Sequence, residues 1–251
     1  MSKARRRALV TATALLALLG SGSPAVPAVL PAALPVQSPI AAHHHGDAVL
    51  HGTSSNWAGY SATGGRFTSV SADWVQPAVS CAKSDAWSGF WIGLDGDGSK
   101  TVEQIGTEAD CSSGSPVYSS WYEMYPAYPS TFQDTVRPGD HFTASVTTDG
   151  SGAFTLTLSD TTRGWSHVID KSLKNAALAS AEVIAEAPSS LFGVLPLADF
   201  DVVRFTDAKV NGQSLGAAKP SLIDMAKNGV TKATTSPLTD GTDFSVTWHH
   251  R

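Results

Sequence analysis

All five glutamates of this 251-residue chain lie in three short segments. The first segment carries Glu103 and Glu108, the second carries Glu123, and the third carries Glu182 and Glu186. A carboxyl group can accept a proton and return it, so grouped glutamates are candidates for general acid–base catalysis. Carboxyl groups so far apart in the sequence act together only if the elements that carry them lie side by side.

The residues around Glu123 indicate a face that holds aromatic rings beside a carboxyl group. Successive side chains of a β-strand alternate, so Trp121, Glu123 and Tyr125 point to the same side. By the same rule Glu182 and Glu186 share a face, about 13 Å apart at ~3.3 Å per residue. Such a face is typical of a binding groove, but a solvated outer face also carries carboxylates. The pattern by itself leaves both interpretations open.

The stretch Gly93–Gly98 reads Gly-Leu-Asp-Gly-Asp-Gly and is the only glycine-rich loop of chemical interest. Its two aspartates disfavour a phosphate-binding loop, because they would repel the phosphate. Their spacing permits a weak calcium loop. A tight turn between two strands explains the same residues and is the favoured interpretation.

The sequence lacks the motifs of several other enzyme classes. The chain has no Gly-x-Ser-x-Gly segment, which disfavours an α/β-hydrolase. It also has no pair of Asp-Thr/Ser-Gly loops after apolar strands, which disfavours a two-lobed aspartic protease. A Ser/His/Asp triad stays open, because triads assemble in space. We expect no metal and no cofactor, because none of the four histidines after residue 52 has a zinc-binding spacing; these are His141, His167, His249 and His250.

Composition narrows the class of protein further. Hydrophobic residues make up 42% of the chain and charged residues 16%, which excludes a highly charged disordered protein. The formal net charge is −5, so the chain has no basic footprint for nucleic acid. Asp outnumbers Glu by 17 to 5, and because Asp favours turns and Glu favours helices, this ratio favours a β-rich fold.

The first 52 residues differ from the rest of the chain. Residues 1–28 are typical of a secretory signal, with four basic residues, an apolar run over Ala8–Leu19 and small residues near Ala28. Residues 29–52 are rich in Ala and Pro and have no strand or helix period, which indicates a linker or short pro-segment. Their histidines could alternatively bind a metal; these are His43, His44, His45 and His51. We therefore expect a secreted protein with no membrane segment once the signal is removed.

The two cysteines, Cys81 and Cys111, both fall after this leader. In an exported protein such a pair is expected to form a disulfide. The resulting loop of about 30 residues stabilises the fold by about 3 kcal/mol in the loop-entropy model.

Residues 53–251 predict one all-β domain, either a sandwich or a barrel. Apolar and polar residues alternate with period two in many short segments, with turn dipeptides between them. Lys171–Ala187 is ambiguous, since its Ala content suggests helix and its end suggests strand. The predicted strands are Val70–Val75, Phe142–Thr147, Ala153–Asp160, Val202–Thr206 and Phe244–His249. The predicted turns are Gly64-Gly65, Pro138-Gly139, Asp149-Gly150, Asn211-Gly212, Asn228-Gly229 and Asp240-Gly241.

Five blocks of this sequence resemble, in order, blocks of the glutamic peptidases, also called eqolisins. The residues that carry the resemblance are Ser54–Tyr60, Phe90–Asp97, Glu103–Gly106, Trp121–Pro126 and Ser180–Glu186. The resemblance implies a peptidase whose fold is a sandwich of two packed antiparallel sheets, of the concanavalin or jelly-roll type. It also implies Gln104 as the catalytic glutamine and Glu186 as the catalytic glutamate. It departs from the better-known fungal members at Glu108, where they have Asp, and at Ala187, which replaces another Asp.

The resemblance also implies a peptide-binding groove, which supports the groove interpretation of the glutamate face. The groove residues are expected to be Trp57, Trp91, Asp95, Glu108, Trp121, Glu123, Tyr125 and Glu182. The implied activity is pepstatin-insensitive endopeptidase action on polypeptides at acid pH, by a secreted monomer. A glycoside hydrolase and a carbohydrate-binding sandwich remain alternatives, since carboxylates and aromatic rings also suit sugars.

Overall fold

A computed structural model describes residues 52–251, in which strands are the main secondary structure. The predicted signal, most of the predicted linker and the histidines at 43–45 and 51 lie outside the described residues. Eighteen strands and one 3₁₀ turn occur within residues 52–251: β1 Thr53–Ser54, β2 Trp57–Thr63, β3 Ser69–Val75, β4 Gly89–Leu94, β5 Val102–Ser112, β6 Ser115–Tyr125, β7 Ser130–Thr131, β8 His141–Thr148, β9 Ala153–Asp160, β10 Trp165–Ser172, β11 Ser180–Glu186, β12 Ser189–Ser190, β13 Gly193–Val194, β14 Val202–Val210, β15 Gln213–Ser214, the turn Leu215–Ala218, β16 Ser221–Lys227, β17 Val230–Thr235 and β18 Phe244–Trp248.

The strands form two layers that are continuous through β16. Sheet 1 has the order β16-β2-β11-β4-β5-β6-β7. Sheet 2 has the order β10-β9-β8-β3-β14-β18-β17-β16, and β1 pairs with β16 in parallel. All other pairs within these two sheets are antiparallel except for single isolated bridges, so the predicted sandwich of antiparallel sheets is confirmed.

The main core fills the space between the two sheets. Alternate residues of β9, such as Phe154, Leu156 and Leu158, pack inward from sheet 2. They meet inward residues of sheet 1 such as Phe90 and Ile92. Because strand side chains alternate, the same strands of sheet 1 present a second face that points away from this core. That second face carries the candidate site.

The predicted turns take up backbone conformations that these dipeptides favour. Asn211-Gly212, Asn228-Gly229 and Asp240-Gly241 each have two residues in succession with positive φ, between 50° and 78°. Asn, Asp and Gly tolerate this region at low cost. Asn211-Gly212 and Asn228-Gly229 are two-residue connections between consecutive strands, and Asp240-Gly241 lies in the longer connection from β17 to β18. The ambiguous Lys171–Ala187 contains strand β11 and no helix.

The predicted disulfide is confirmed between Cys81 and Cys111, with an S–S distance of 2.00 Å. It ties the segment before β4 to β5, which carries Gln104. Among residues 52–251 no helix has the length and hydropathy needed to cross a membrane.

Candidate active site

The outer face of sheet 1 holds a second hydrophobic cluster, separate from the main core. Trp57 and Trp91 meet edge to face, with ring centroids 5.1 Å apart. Their packing against Ile184 and other apolar residues lies on the same face as the predicted glutamates. The cluster consists of Trp57, Trp91, Val102, Trp121, Ile184 and Ile223, with Tyr125 packed against it. All four aromatic residues expected in the groove are therefore brought together.

Strand register arranges the polar residues of this face in rows across the sheet. One row runs from Glu182 of β11 over Gly93 of β4 to Gln104 of β5 and Glu123 of β6. Gly93 has no side chain, so a bare stretch of backbone separates Glu182 from Gln104 in this row.

A second row lies four residues further along the strands. It runs from Trp57 over Glu186 and Gly89 to Glu108. A middle row, between the two, contains Trp91. Gln104 and Glu186 therefore lie on the same face of the same sheet, two strands apart and offset by four residues. The offset corresponds to about 13 Å along the strands at ~3.3 Å per residue.

The indole of Trp91 occupies the space between Gln104 and Glu186. Its Nε1–H donates to Glu186 Oε2 at 2.8 Å. At the other end of the ring, a Cβ built on Gly93 would lie 3.1 Å from both Trp91 Cζ3 and Gln104 Cβ. The same indole therefore borders the positions of both residues, and the bare backbone of Gly93 leaves room for this arrangement.

Glu123 orients the amide of Gln104. The two residues lie directly opposite each other on β5 and β6. Gln104 Nε2 donates to Glu123 Oε2 at 2.7 Å, and both side chains are 1% exposed. Because the amide nitrogen carries two N–H groups, this bond uses one donor and sets the direction of the second.

Glu186 is held by two side-chain N–H donors. In addition to Trp91, Asn56 Nδ2 donates to Glu186 Oε1 at 3.2 Å. Glu186 is 0% exposed. Each carboxylate oxygen thus has a donor directed at it, which fixes the rotation of the carboxyl group.

Glu182 has different surroundings, although it belongs to the same strand and face. Burial raises the pKa of Glu182 well above its ordinary value; a bond from Ser180 lowers it, and the charge of Asp97 raises it again. The backbone N–H of Asp97 approaches Glu182 Oε1 at 3.4 Å, while Oε2 has no hydrogen-bond partner. These surroundings favour the neutral, protonated form of Glu182 over its charged form.

The remaining expected groove residues differ in position. Glu108 lies on the site face, where its Oε2 accepts a bond from Ser119 Oγ at 3.0 Å. Asp95 is buried at the end of β4, and its carboxylate accepts bonds from the backbone N–H groups of Leu178 at 2.9 Å and Ala179 at 2.7 Å. This geometry supports a structural role for Asp95, which fixes the start of β11. The sequence instead predicts that Asp95 contacts the substrate.

Glu103 points to the inner face of sheet 1, since it alternates with Gln104. Burial, and then the charge of Asp95, raise the pKa of Glu103 to about 9. The Gly93–Gly98 stretch covers the end of β4 and the first part of its connection to β5, in agreement with the turn interpretation. Within residues 52–251 no three or more His, Cys, Asp or Glu side chains are grouped to hold a metal ion.

Asn56 is the site residue that sequence reasoning missed. It lies inside the block Ser54–Tyr60, where only Trp57 was assigned a role. A polar residue directly before a buried strand was the available signal, because such a side chain needs a partner inside the protein.

Comparison with known proteins adds independent information. A model of the Peptidase A4 family matches residues 55–248. Aspergillopepsin-2 of Aspergillus niger is 29% identical over 222 residues, 78% of this chain and 78% of that protein. Scytalidopepsin B of Scytalidium lignicola is 33% identical over 177 residues, 64% of this chain and 66% of that protein.

Solved structures of glutamic peptidases are also similar to this chain. Scytalido-glutamic peptidase with a transition state analog inhibitor has a TM-score of 0.65 and 28% identity, over 78% of this chain and 98% of that chain. Aspergilloglutamic peptidase from Aspergillus niger has a TM-score of 0.59 and 27% identity, over 65% of this chain and 99% of that chain.

Proposed function

Because this chain belongs to the peptidase A4 family, the glutamic endopeptidases called eqolisins, we propose that it cleaves polypeptides with Gln104 and Glu186 as its catalytic pair. The observation that carries the proposal is that these residues and three tryptophans lie on one face of one sheet, apart from the main core. Binding a peptide there requires the groove to open, because Gln104 and Glu186 are 1% and 0% exposed.

Glu186 is proposed as the proton acceptor. It takes a proton from a water molecule whose oxygen attacks the scissile carbonyl carbon. When the C–N bond breaks, Glu186 returns that proton to the leaving nitrogen, so the carboxylate is regenerated. The donors Trp91 and Asn56 support this role, because they hold the carboxylate in one orientation.

Gln104 is proposed as the donor to the oxyanion that forms during attack. Glutamine does not titrate, so its N–H groups remain donors at any pH. Glu123 accepts a bond from Gln104 Nε2, which leaves the second N–H of the same nitrogen in a fixed direction. A preorganised donor of this kind stabilises the tetrahedral intermediate more than a mobile water molecule does.

We further propose that the enzyme is secreted, monomeric and active at acid pH. The disulfide supports an oxidising compartment. Residues 53–251 contain 13 basic and 21 acidic residues, a formal net charge of −8. Protonation of part of these carboxyl groups in acid relieves their mutual repulsion. The raised pKa values of Glu103 and Glu182 also favour an acid environment.

The test is digestion of denatured casein across a pH series, with and without pepstatin. The parental enzyme should be active in acid and indifferent to pepstatin. Gln104→Ala should lower kcat by about 10²–10³-fold, the usual effect of losing an oxyanion donor. Gln133→Ala, a matched change at an exposed glutamine, should leave kcat unchanged. Near-parental cleavage by folded Gln104→Ala, or by folded Glu186→Gln, would contradict the assignment of the pair.

A further inference from the structure

Asn56 contacts the proposed catalytic carboxyl group directly from the segment before β2. Its side chain is 1% exposed, and its Nδ2 lies 3.2 Å from Glu186 Oε1. The other carboxylate oxygen of Glu186 accepts a bond from Trp91 Nε1 at 2.8 Å. Asn56 and Trp91 therefore hold the carboxyl group from two sides.

Ser54 fixes which way the Asn56 amide faces. Ser54 Oγ donates to Asn56 Oδ1 at 3.1 Å, and it accepts from the backbone N–H groups of Asn56 at 3.3 Å and Trp57 at 3.2 Å. An amide oxygen only accepts and an amide nitrogen only donates. A hydroxyl group that donates to Oδ1 therefore keeps Nδ2 turned toward Glu186.

The position of Ser54 is itself set by the sheet. Ser54 belongs to β1, which pairs in parallel with β16, and it lies opposite Met225. Neither Ser54 nor Asn56 is exposed by more than 2%. The connection from β16 through Ser54 and Asn56 to Glu186 is thus buried along its length.

We propose that Asn56 is a positioning residue for catalysis: it holds Glu186 in the orientation that accepts the proton from water. This inference rests on the proposed function of Glu186. The donor stabilises the negatively charged carboxylate, so its loss makes Glu186 easier to protonate. Asn56 acts through Glu186 and is not assigned a contact with substrate.

The other titratable groups on this face are few around Glu186. Glu182 lies on the same strand, and Glu108 lies two strands away across Gly89. Glu123 and Tyr125 lie on β6, one strand beyond β5. The facing residues of the adjacent strands, Trp57 of β2 and Gly89 of β4, do not titrate. A change in pH dependence after substitution of Asn56 therefore reports on Glu186 together with these titratable groups.

The experiment compares the pH profiles of kcat and KM for the parental enzyme and Asn56→Ala. Loss of a hydrogen bond to a charged group should lower kcat by about 10–100-fold and move the acid limb of the kcat profile upward by about one pH unit. KM should change by less than about threefold, because Asn56 acts on a reacting group and not on ground-state binding. Asn211→Ala is the matched control, because Asn211 makes structural bonds far from the site; it should leave the profile unchanged.

Asn56→Asp provides a second measurement with nearly the same side-chain shape. A protonated Asp donates an O–H to Glu186, whereas an ionised Asp repels it. Asn56→Asp should therefore exceed Asn56→Ala in activity at the acid end and fall below it as pH rises. A purely structural role for Asn56 predicts no such crossing of the two profiles.

An unchanged kcat profile in folded Asn56→Ala would overturn the inference. If Asn56→Ala does not fold, Ser54→Ala should show the same shift of the kcat profile with a smaller amplitude. An unshifted profile in Ser54→Ala would then overturn the inference. Glu186→Gln separates the two proposals. An active Glu186→Gln contradicts the proposed function itself, whereas an inactive Glu186→Gln beside an unshifted Asn56→Ala contradicts only the role of Asn56.

Discussion

Glu182 and Glu186 lie four residues apart on the same strand and the same face, and both are 0% exposed. Glu186 receives bonds from Asn56 and Trp91, one at each carboxylate oxygen. Burial raises the pKa of Glu182, which accepts a bond from Ser180 and a long contact from the backbone N–H of Asp97, and lies near the charge of Asp97. The same residue type therefore has two different sets of polar neighbours on one strand. Burial of a carboxyl group favours its neutral form, as at Glu182.

Two glycines of β4 lie between the polar residues of this face. Gly93 separates Glu182 from Gln104, and Gly89 separates Glu186 from Glu108. A Cβ at Gly93 would lie 3.1 Å from both Gln104 Cβ and Trp91 Cζ3, and 3.2 Å from a backbone oxygen. The bare positions let long polar side chains from strands that are not neighbours point into one space.

The largest expected effect on activity is that of Glu186→Gln, and Glu182→Gln is its comparison. Glu186→Gln removes the proposed proton acceptor and should lower kcat/KM by about 10²–10⁴-fold, the usual contribution of acid–base catalysis. Glu182→Gln should change kcat/KM by less than about fivefold in acid, because glutamine has the shape and neutrality of the protonated carboxyl group. Steady-state cleavage of one peptide substrate at acid pH measures both values. Equal losses in the two variants would show that the surroundings do not distinguish the two residues.

A second prediction concerns stability against pH. The folded-state pKa values of Glu103, about 9, and Glu182 exceed the unfolded value near 4.5, so the folded protein keeps protons that the unfolded chain releases. Stability is therefore fully present below about pH 4.5 and declines as pH rises toward about 9. Each carboxyl group contributes up to about 1.4 kcal/mol per pH unit to this decline. Urea unfolding at pH 4, 6 and 8 measures the slope.

Glu103→Gln and Glu182→Gln should each make that decline shallower, since glutamine has no proton to lose. Asp170→Asn is the control, because Asp170 is an exposed carboxyl group on β10. Stability that is constant or increases from pH 5 to 8 would contradict the assignment of neutral, buried acids.

The smallest expected effect concerns the floor of the site. Gly93→Ala places a methyl group against Gln104 and the Trp91 ring, and should lower kcat by about 10-fold as these side chains shift. Gly65→Ala, whose added methyl would meet only the Phe67 ring, should leave kcat near the parental value. Tryptophan fluorescence and a thermal midpoint confirm folding of both variants. Unchanged kcat in Gly93→Ala would show that the bare backbone is not needed there.

Much of this fold follows from local sequence pattern. The alternation in Ala153–Asp160 predicts strand β9 with the bounds observed, and dipeptides such as Asn211-Gly212 predict turns. Both depend on neighbouring residues alone: side chains alternate with period two, and the left-handed backbone region favours Asn and Gly. Lys171–Ala187 remained ambiguous because its Ala content and its β-branched end favour different elements. Its burial between β2 and β4 decides for a strand.

The site divides in the same way. Residue types and their order establish the family resemblance, the candidate pair Gln104 and Glu186, and the disulfide between Cys81 and Cys111. The tertiary structure alone decides that Asn56 reaches Glu186, that Asp95 bonds to the backbone before β11, and that Glu182 and Glu186 differ. The physical reason is that strand register and burial join residues as far apart as 130 positions, and hydrogen bonding and charge depend on those neighbours.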